Sequence, residues 1–277
     1  MSLNPFLNAD RRLRSGWWIA IFVTTLAGLL LPFIFSAKDA NGQVSIYDQI
    51  LILVAASLIC QALARKPFSK LFGPLNWRWP RDLVIGAGWG ALLMLAPAFI
   101  LFAMGTITWT TTATTIQTIT PILTLLAAAA ATEELLFRGF LFQRLIEGIG
   151  IWPAQLAIAA LFVLTHSDAL REIGPLAYLA GANIFLASIL FGLAYVRTQS
   201  LAMPLGLHFA ANVVQGPILG FGVSGDEQPG LLAPTFDSAS DWLTGGAFGL
   251  EASVPGIMCV LVLLVVFLRG KTTQTAD

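Results

Sequence analysis

Eight long apolar runs dominate this chain: 17–36, 46–64, 83–104, 119–141, 152–167, 176–196, 201–220 and 252–268. A helix needs about 20 apolar residues to cross a bilayer, within a working range of roughly 17 to 25. The runs therefore predict an all-α fold, a polytopic membrane bundle of about eight transmembrane helices forming one domain over residues 1–277. The fifth and eighth runs are the shortest. Charge agrees with this reading. Only 11% of the 277 residues are charged and 57% are hydrophobic, whereas a soluble domain carries about 25% charged residues. Lys+Arg and Asp+Glu balance at 15 each, which leaves no basic surface for nucleic acid. Cys60 and Cys259 both sit in apolar runs and read as small core residues rather than a disulfide.

The first run follows Arg11, Arg12 and Arg14. It is long for a secretory leader and no small-x-small cleavage site follows, so it reads as a retained helix. Orientation comes from the cations. With the N-terminus in the cytoplasm, the inner segments hold Arg11, Arg12, Arg14, Arg65, Lys66, Lys70, Arg78, Arg81, Arg138, Arg144, Arg197, Arg269 and Lys271, and only Lys38 and Arg171 fall outside. That asymmetry predicts both termini inside. The loop 221–250 has Asp226, Glu227, Asp237 and Asp241 and no Lys or Arg, which suits the outer side. "WRWPR", residues 77–81, reads as an interfacial anchor. The Thr-rich stretch 106–120 reads as an outer loop, and Thr120-Pro121 as a helix start.

Three runs break the apolar rule. The fourth contains Glu133, Glu134 and Arg138, the fifth ends on His166, and the seventh holds His208 and Asn212. Each ionisable side chain in a span costs about 2.5 to 3.5 kcal/mol on insertion scales, and such groups face a bundle interior or a wet cavity. Glu134 and Arg138 are four apart, share a helix face and can pair. Glu133 is turned about 100° away, which makes it, by expectation, the more desolvated of the two and the better base. His208 and Asn212 also share a face, and Phe162 lies one turn before His166. Counted along the runs, His166 is roughly 22 Å and His208 roughly 12 Å from the cytoplasmic end. Tilted or staggered spans around a mid-membrane cavity open to the cytoplasm would reconcile the two depths.

Singly, each feature has a structural explanation: a locking ion pair, or a His or Asn bonding a neighbouring helix. Together a carboxylate, two imidazoles and an amide supply a general base, an acid and oxyanion donors. Glu133, His166 and His208 would equally serve as a two-His, one-carboxylate zinc set with a position open to water. The residues alone leave both chemistries open. They also leave open a non-catalytic scaffold or immunity protein and a proton-coupled transporter using Glu and His as a relay.

The order Glu133-Glu134-x-x-x-Arg138, Phe162-x-x-x-His166, His208-x-x-x-Asn212 resembles the three-motif signature of the CPBP intramembrane peptidases. This is the Abi, or CAAX-protease-and-bacteriocin-processing, family, which includes the type II CAAX prenyl endopeptidases. The resemblance spans residues 119–216. It implies an all-helical membrane peptidase in which Glu133, His166 and His208 are catalytic and Asn212 assists; Glu134 is counted in the same catalytic set, with Arg138 and Phe162 supporting it. It implies an intramembrane endopeptidase acting on a peptide or membrane-protein substrate within the lipid bilayer, and the style of the chain suggests a multi-pass protein of a bacterial cell membrane. On this reading Glu133 and His166 activate water while His208 and Asn212 stabilise the oxyanion. If Zn2+ is the cofactor, Glu133, His166 and His208 are its ligands.

Overall fold

The computed structural model describes residues 5–7, 13–36, 43–237 and 240–270. Arg11, Arg12, Lys38 and Lys271, used in the charge argument, lie outside the described residues. The chain is an all-α polytopic membrane protein. Its elements are α1 (Ser15–Ser36), α2 (Ile46–Leu63), the short α3 (Ser69–Phe72), α4 (Arg78–Ala103), β1 (Ile107–Thr111), α5 (Ile116–Arg138), α6 (Phe140–Ile149), α7 (Ile151–Thr165), α8 (Ser167–Glu172), α9 (Ala177–Thr198), α10 (Ala202–Val213), β2 (Leu232–Phe236), α11 (Asp241–Thr244) and α12 (Val254–Arg269). Helix occupies all eight apolar runs. Among the described residues, five helical stretches are long and apolar enough to cross a bilayer: α1, α2, α4, α5 with α6, and α9 with the turn before it. The helices α7 and α12 are apolar but shorter, and α10 ends after Val213 in a π-helical turn over 214–218. Large apolar side chains such as Phe99, Leu164 and Val262 remain exposed on the outer helix faces, as lipid contact requires.

Several expected boundaries move. The anchor "WRWPR" is the first turn of α4, with the Arg81 guanidinium 5.3 Å from the Trp77 ring. The expected Thr120-Pro121 start lies inside α5. Its cap is Thr115, whose hydroxyl accepts from the Thr118 backbone N–H, and Pro121 sits in the second turn. The expected Thr-rich loop contains β1, which pairs antiparallel with β2 from Ile107↔Phe236 to Thr111↔Leu232. The fourth run breaks at Gly139, where a Cβ would collide with the Leu135 carbonyl. Gly139 takes ψ −135°, α6 starts as a separate helix after it, and Gln143 Nε2 donates to the Leu71 carbonyl 3.1 Å away.

One contact positions the site more than any other. α4 and α10 run parallel and pack backbone to backbone. A Cβ on Gly86 would meet the Met203 carbonyl, one on Gly90 the Leu207 carbonyl, and one on Gly206 the Leu83 carbonyl. Small residues four apart allow this approach, and in lipid such packing replaces the missing hydrophobic drive between helices. The contact also resolves the depth mismatch. Leu207 lies level with Gly90, twelve residues into α4, or roughly 18 Å. α10 therefore starts well inside the bundle, and His208 comes close to the depth of His166.

Two apolar cores flank this contact. One gathers Phe22, Phe137, Phe140, Phe142 and Phe162 around α1, α2 and α5–α7. The other gathers Leu93, Leu101, Leu190, Phe191, Leu207 and Phe267 around α4, α9, α10 and α12. The segment between α10 and α12 closes the end of the bundle opposite the one that carries Arg65, Lys66, Lys70 and Arg144. Trp109 Nε1 ties β1 to it by donating to the Leu219 carbonyl at 3.0 Å. Both cysteines are free, and Cys60 is buried.

Candidate active site

Arg138 sits in the seam between the two cores and is fully buried. Its guanidinium lies 5.8, 5.2 and 5.3 Å from the Phe137, Phe162 and Phe191 rings. One end points at Glu134, with Nη1 3.4 Å from Oε1. The other end reaches α9, where Nη2 donates to the Ser188 carbonyl and hydroxyl, both at 2.8 Å. The i,i+4 spacing on α5 makes the first contact. The aromatic seam and Ser188 hold a charge that would otherwise be stranded in low dielectric.

Glu134 Oε1 has a second partner, His208 Nδ1, 2.9 Å away. A carboxylate can only accept, so Nδ1 carries the hydrogen. Nε2 then faces Glu133, whose Oε2 lies 3.8 Å away. The His208 ring stacks on Phe191 with centroids 4.9 Å apart and planes 19° apart, which fixes its plane as the carboxylate fixes its rotation. The two glutamates therefore differ, but not as expected. Glu134 is the desolvated one, at 1% side-chain exposure, against 32% for Glu133. The 100° rotation carries Glu133 away from the packed seam and toward open space.

His166 ends α7 at the bend into α8, with φ −97° and ψ 8°. Its Nδ1 lies 2.8 Å from the Phe162 carbonyl. That oxygen also only accepts, so the hydrogen is again on Nδ1 and Nε2 is the free nitrogen. The ring packs 4.8 Å from Phe162.

A cavity of about 40 Å³ is lined by His166, His208 and Asn212 together with Asn183, Ser224 and Glu251. Water needs roughly 10–15 Å³ on this measure, so the cavity admits water and not a peptide. It was expected to open toward the cytoplasmic end. None of its lining residues comes from that end, and two come from the segment between α10 and α12. Glu133 does not line the cavity and reaches it by way of His208.

Glu251, Ser224, Asn183 and Ser188 were not found from the sequence, where the predicted core held no further acid. Glu251 stands in a short 3-10 turn over 250–252. Its Oε2 accepts from Ser224 Oγ at 2.8 Å, and its backbone carbonyl accepts from Asn183 Nδ2 at 2.7 Å. Burial pushes the Glu251 carboxyl above its ordinary value, while the Ser224 hydroxyl pulls the other way. The one signal available was position: a lone acid directly before the last apolar run.

A shared metal requires its ligands to converge. Each histidine has the Nδ1 support that metal sites use, but among the described residues no three His, Cys, Asp or Glu side chains are grouped to hold an ion. The set Glu133, His166 and His208 does not fit a zinc centre in this geometry.

Residues 115–214, which span α5 to α10, match the family described as "Type II CAAX prenyl endopeptidase Rce1-like". No curated protein matches the chain.

Proposed function

We propose that this chain, a member of the Rce1-like family of type II CAAX prenyl endopeptidases through residues 115–214, is an intramembrane endopeptidase that works through Glu133, His166, His208 and Asn212. The observation that carries the reading is the holding of His208 between both glutamates of α5, with Nδ1 on Glu134 and Nε2 turned to Glu133. A water beside the 3.8 Å gap between Glu133 and His208 would bond to both at about 2.8 Å. Two acceptors would then pull on its protons while its lone pairs stay free to attack.

Glu133 takes the proton as the water oxygen attacks a peptide carbonyl. Its exposure leaves the carboxylate free to move toward substrate, which the Glu134 carboxylate, clamped by Arg138 and His208, cannot do. His166 presents Nε2 to the same water. His208, oriented through Glu134 and Arg138, keeps Nε2 on the water, and the Asn212 amide one turn along α10 donates to the developing oxyanion. A single oxyanion donor is worth about 10² to 10³ in rate. The substrate is a peptide or membrane protein, and the protein works as a multi-pass component of a bacterial cell membrane. The 40 Å³ cavity requires the helices or the capping segment to part before a peptide can bind.

A non-catalytic scaffold or a proton relay predicts different behaviour. Peptides in membranes from cells making wild type should be compared with those from cells making Glu133→Gln or His208→Ala. Cleavage products present only with wild type are expected. Identical peptide sets in all three would overturn the peptidase reading.

A further inference from the structure

Peptide hydrolysis needs a second proton transfer, because an amide nitrogen cannot leave as an anion. His208 Nδ1 is committed to Glu134, and His166 Nδ1 to the Phe162 carbonyl. Among the described residues lining the cavity, Glu251 carries the only carboxyl group. It is pinned from two sides, through Ser224 on its Oε2 and Asn183 on its backbone carbonyl, which leaves Oε1 for the cavity. Ser224 and Glu251 both lie outside the residues matched to the family.

We propose that Glu251 is the general acid of this site and protonates the leaving amine. The assignment rests on the peptidase reading above. The water oxygen bonds to the carbonyl carbon as its proton passes to Glu133. The C–N bond then breaks, its electron pair stays on nitrogen, and nitrogen takes the proton of Glu251. The products are a carboxylic acid and an amine, and the proton on Glu133 returns to Glu251 by way of His208 Nε2 and cavity water. A neutral carboxyl can donate where a carboxylate only accepts, and the partial burial of Glu251 favours the neutral form. The charged groups acting on Glu251 are His166 at the end of α7, His208 on α10 and Glu133 on α5; the two imidazoles favour its ionised form and Glu133 opposes it.

Two measurements test this. The first uses the peptide identified from the membrane comparison and its ester analogue at the scissile bond. An ester leaving group needs no proton. Glu251→Gln should lower kcat on the amide by about 10²-fold or more, leave KM nearly unchanged, and spare ester cleavage. Equal losses on amide and ester would mean a structural role and overturn the assignment. Full amide turnover in Glu251→Gln, with Glu133→Gln inactive, would remove only the acid; full turnover in both variants would remove the site reading itself. The second measurement needs no substrate. Infrared spectra at neutral pH should contain a protonated-carboxyl stretch that is lost in Glu251→Gln and kept in Glu133→Gln. An unchanged band in Glu251→Gln overturns the proposal.

Discussion

Replacing Glu134 by Gln separates the role of that carboxylate from the role of Glu133. The substitution keeps the shape and one acceptor oxygen but removes the charge facing Arg138, which is fully buried. At the 3.4 Å separation of this pair, Coulomb's law with an effective dielectric near 20 gives an attraction of ~5 kcal/mol. Removing one partner of a buried pair costs about 3 to 5 kcal/mol. The retained amide oxygen returns about 1 kcal/mol as a hydrogen bond, so a net loss of ~3 kcal/mol is expected. At about 2 to 4 °C per kcal/mol for a chain of this size, the Tm should fall by roughly 6 to 12 °C. Glu133→Gln should move it by no more than about 2 °C, because that side chain is a third exposed and has only the long contact to His208. Both variants should lose turnover. The assay is thermal unfolding in one detergent, followed by intrinsic fluorescence, with the Arg138→Met and Glu134→Gln/Arg138→Met variants closing a double-mutant cycle. If Glu133→Gln is destabilised as much as Glu134→Gln, or if the cycle gives no coupling, the clamp described here is wrong.

Gly90→Ala should lower stability by about 1 to 3 kcal/mol and reduce turnover, because the new methyl meets the backbone of Leu207 rather than a side chain that can yield; an unchanged Tm would contradict the α4–α10 contact. Asn212→Ala should reduce turnover by about 10² to 10³-fold while the Tm stays within a few degrees, and comparable losses in both would recast Asn212 as structural. The carboxyl of Glu251 is held above its ordinary value of 4.5, so the folded state binds more protons than the unfolded state between those two values. Its contribution to stability is full below 4.5 and is lost as pH rises through the raised value; the Tm difference between wild type and Glu251→Gln should shrink over that range, and a constant difference would refute it. Reporter fusions after residue 72 should read as cytoplasmic and fusions after 235 as outer, and the reverse would invert the bundle.

What the sequence made legible was local. The eight runs gave the helices, because length and apolarity are properties of each segment alone. The i,i+4 period gave the pairing of Glu134 with Arg138. Contacts between distant segments were hidden. His208 lies 74 residues from Glu134, and its depth is set by the packing of α10 on α4, α5 and α9, so the second partner of Glu134 could not be foreseen. The same ignorance inverted the burial of the two glutamates, since helical rotation says that they differ but not which of them faces the seam. β1 and β2 are weak strand signals that exist only through each other. Glu251 was missed because the segment before the last run read as an outer loop, whereas it folds inward and donates a side chain to the cavity wall.

The Arg138 clamp also constrains how the protein is made. α5 leaves the ribosome with three charges, each worth about 2.5 to 3.5 kcal/mol against insertion. Only Glu134 and Arg138 offset each other within that helix. Ser188 follows Arg138 by 50 residues and His208 follows Glu134 by 74. At about 5 to 20 residues per second, the last partner arrives some 4 to 15 s after α5. During that interval Arg138 and Glu134 have only each other, and the full set of partners for the clamp exists only once α9 and α10 have been made.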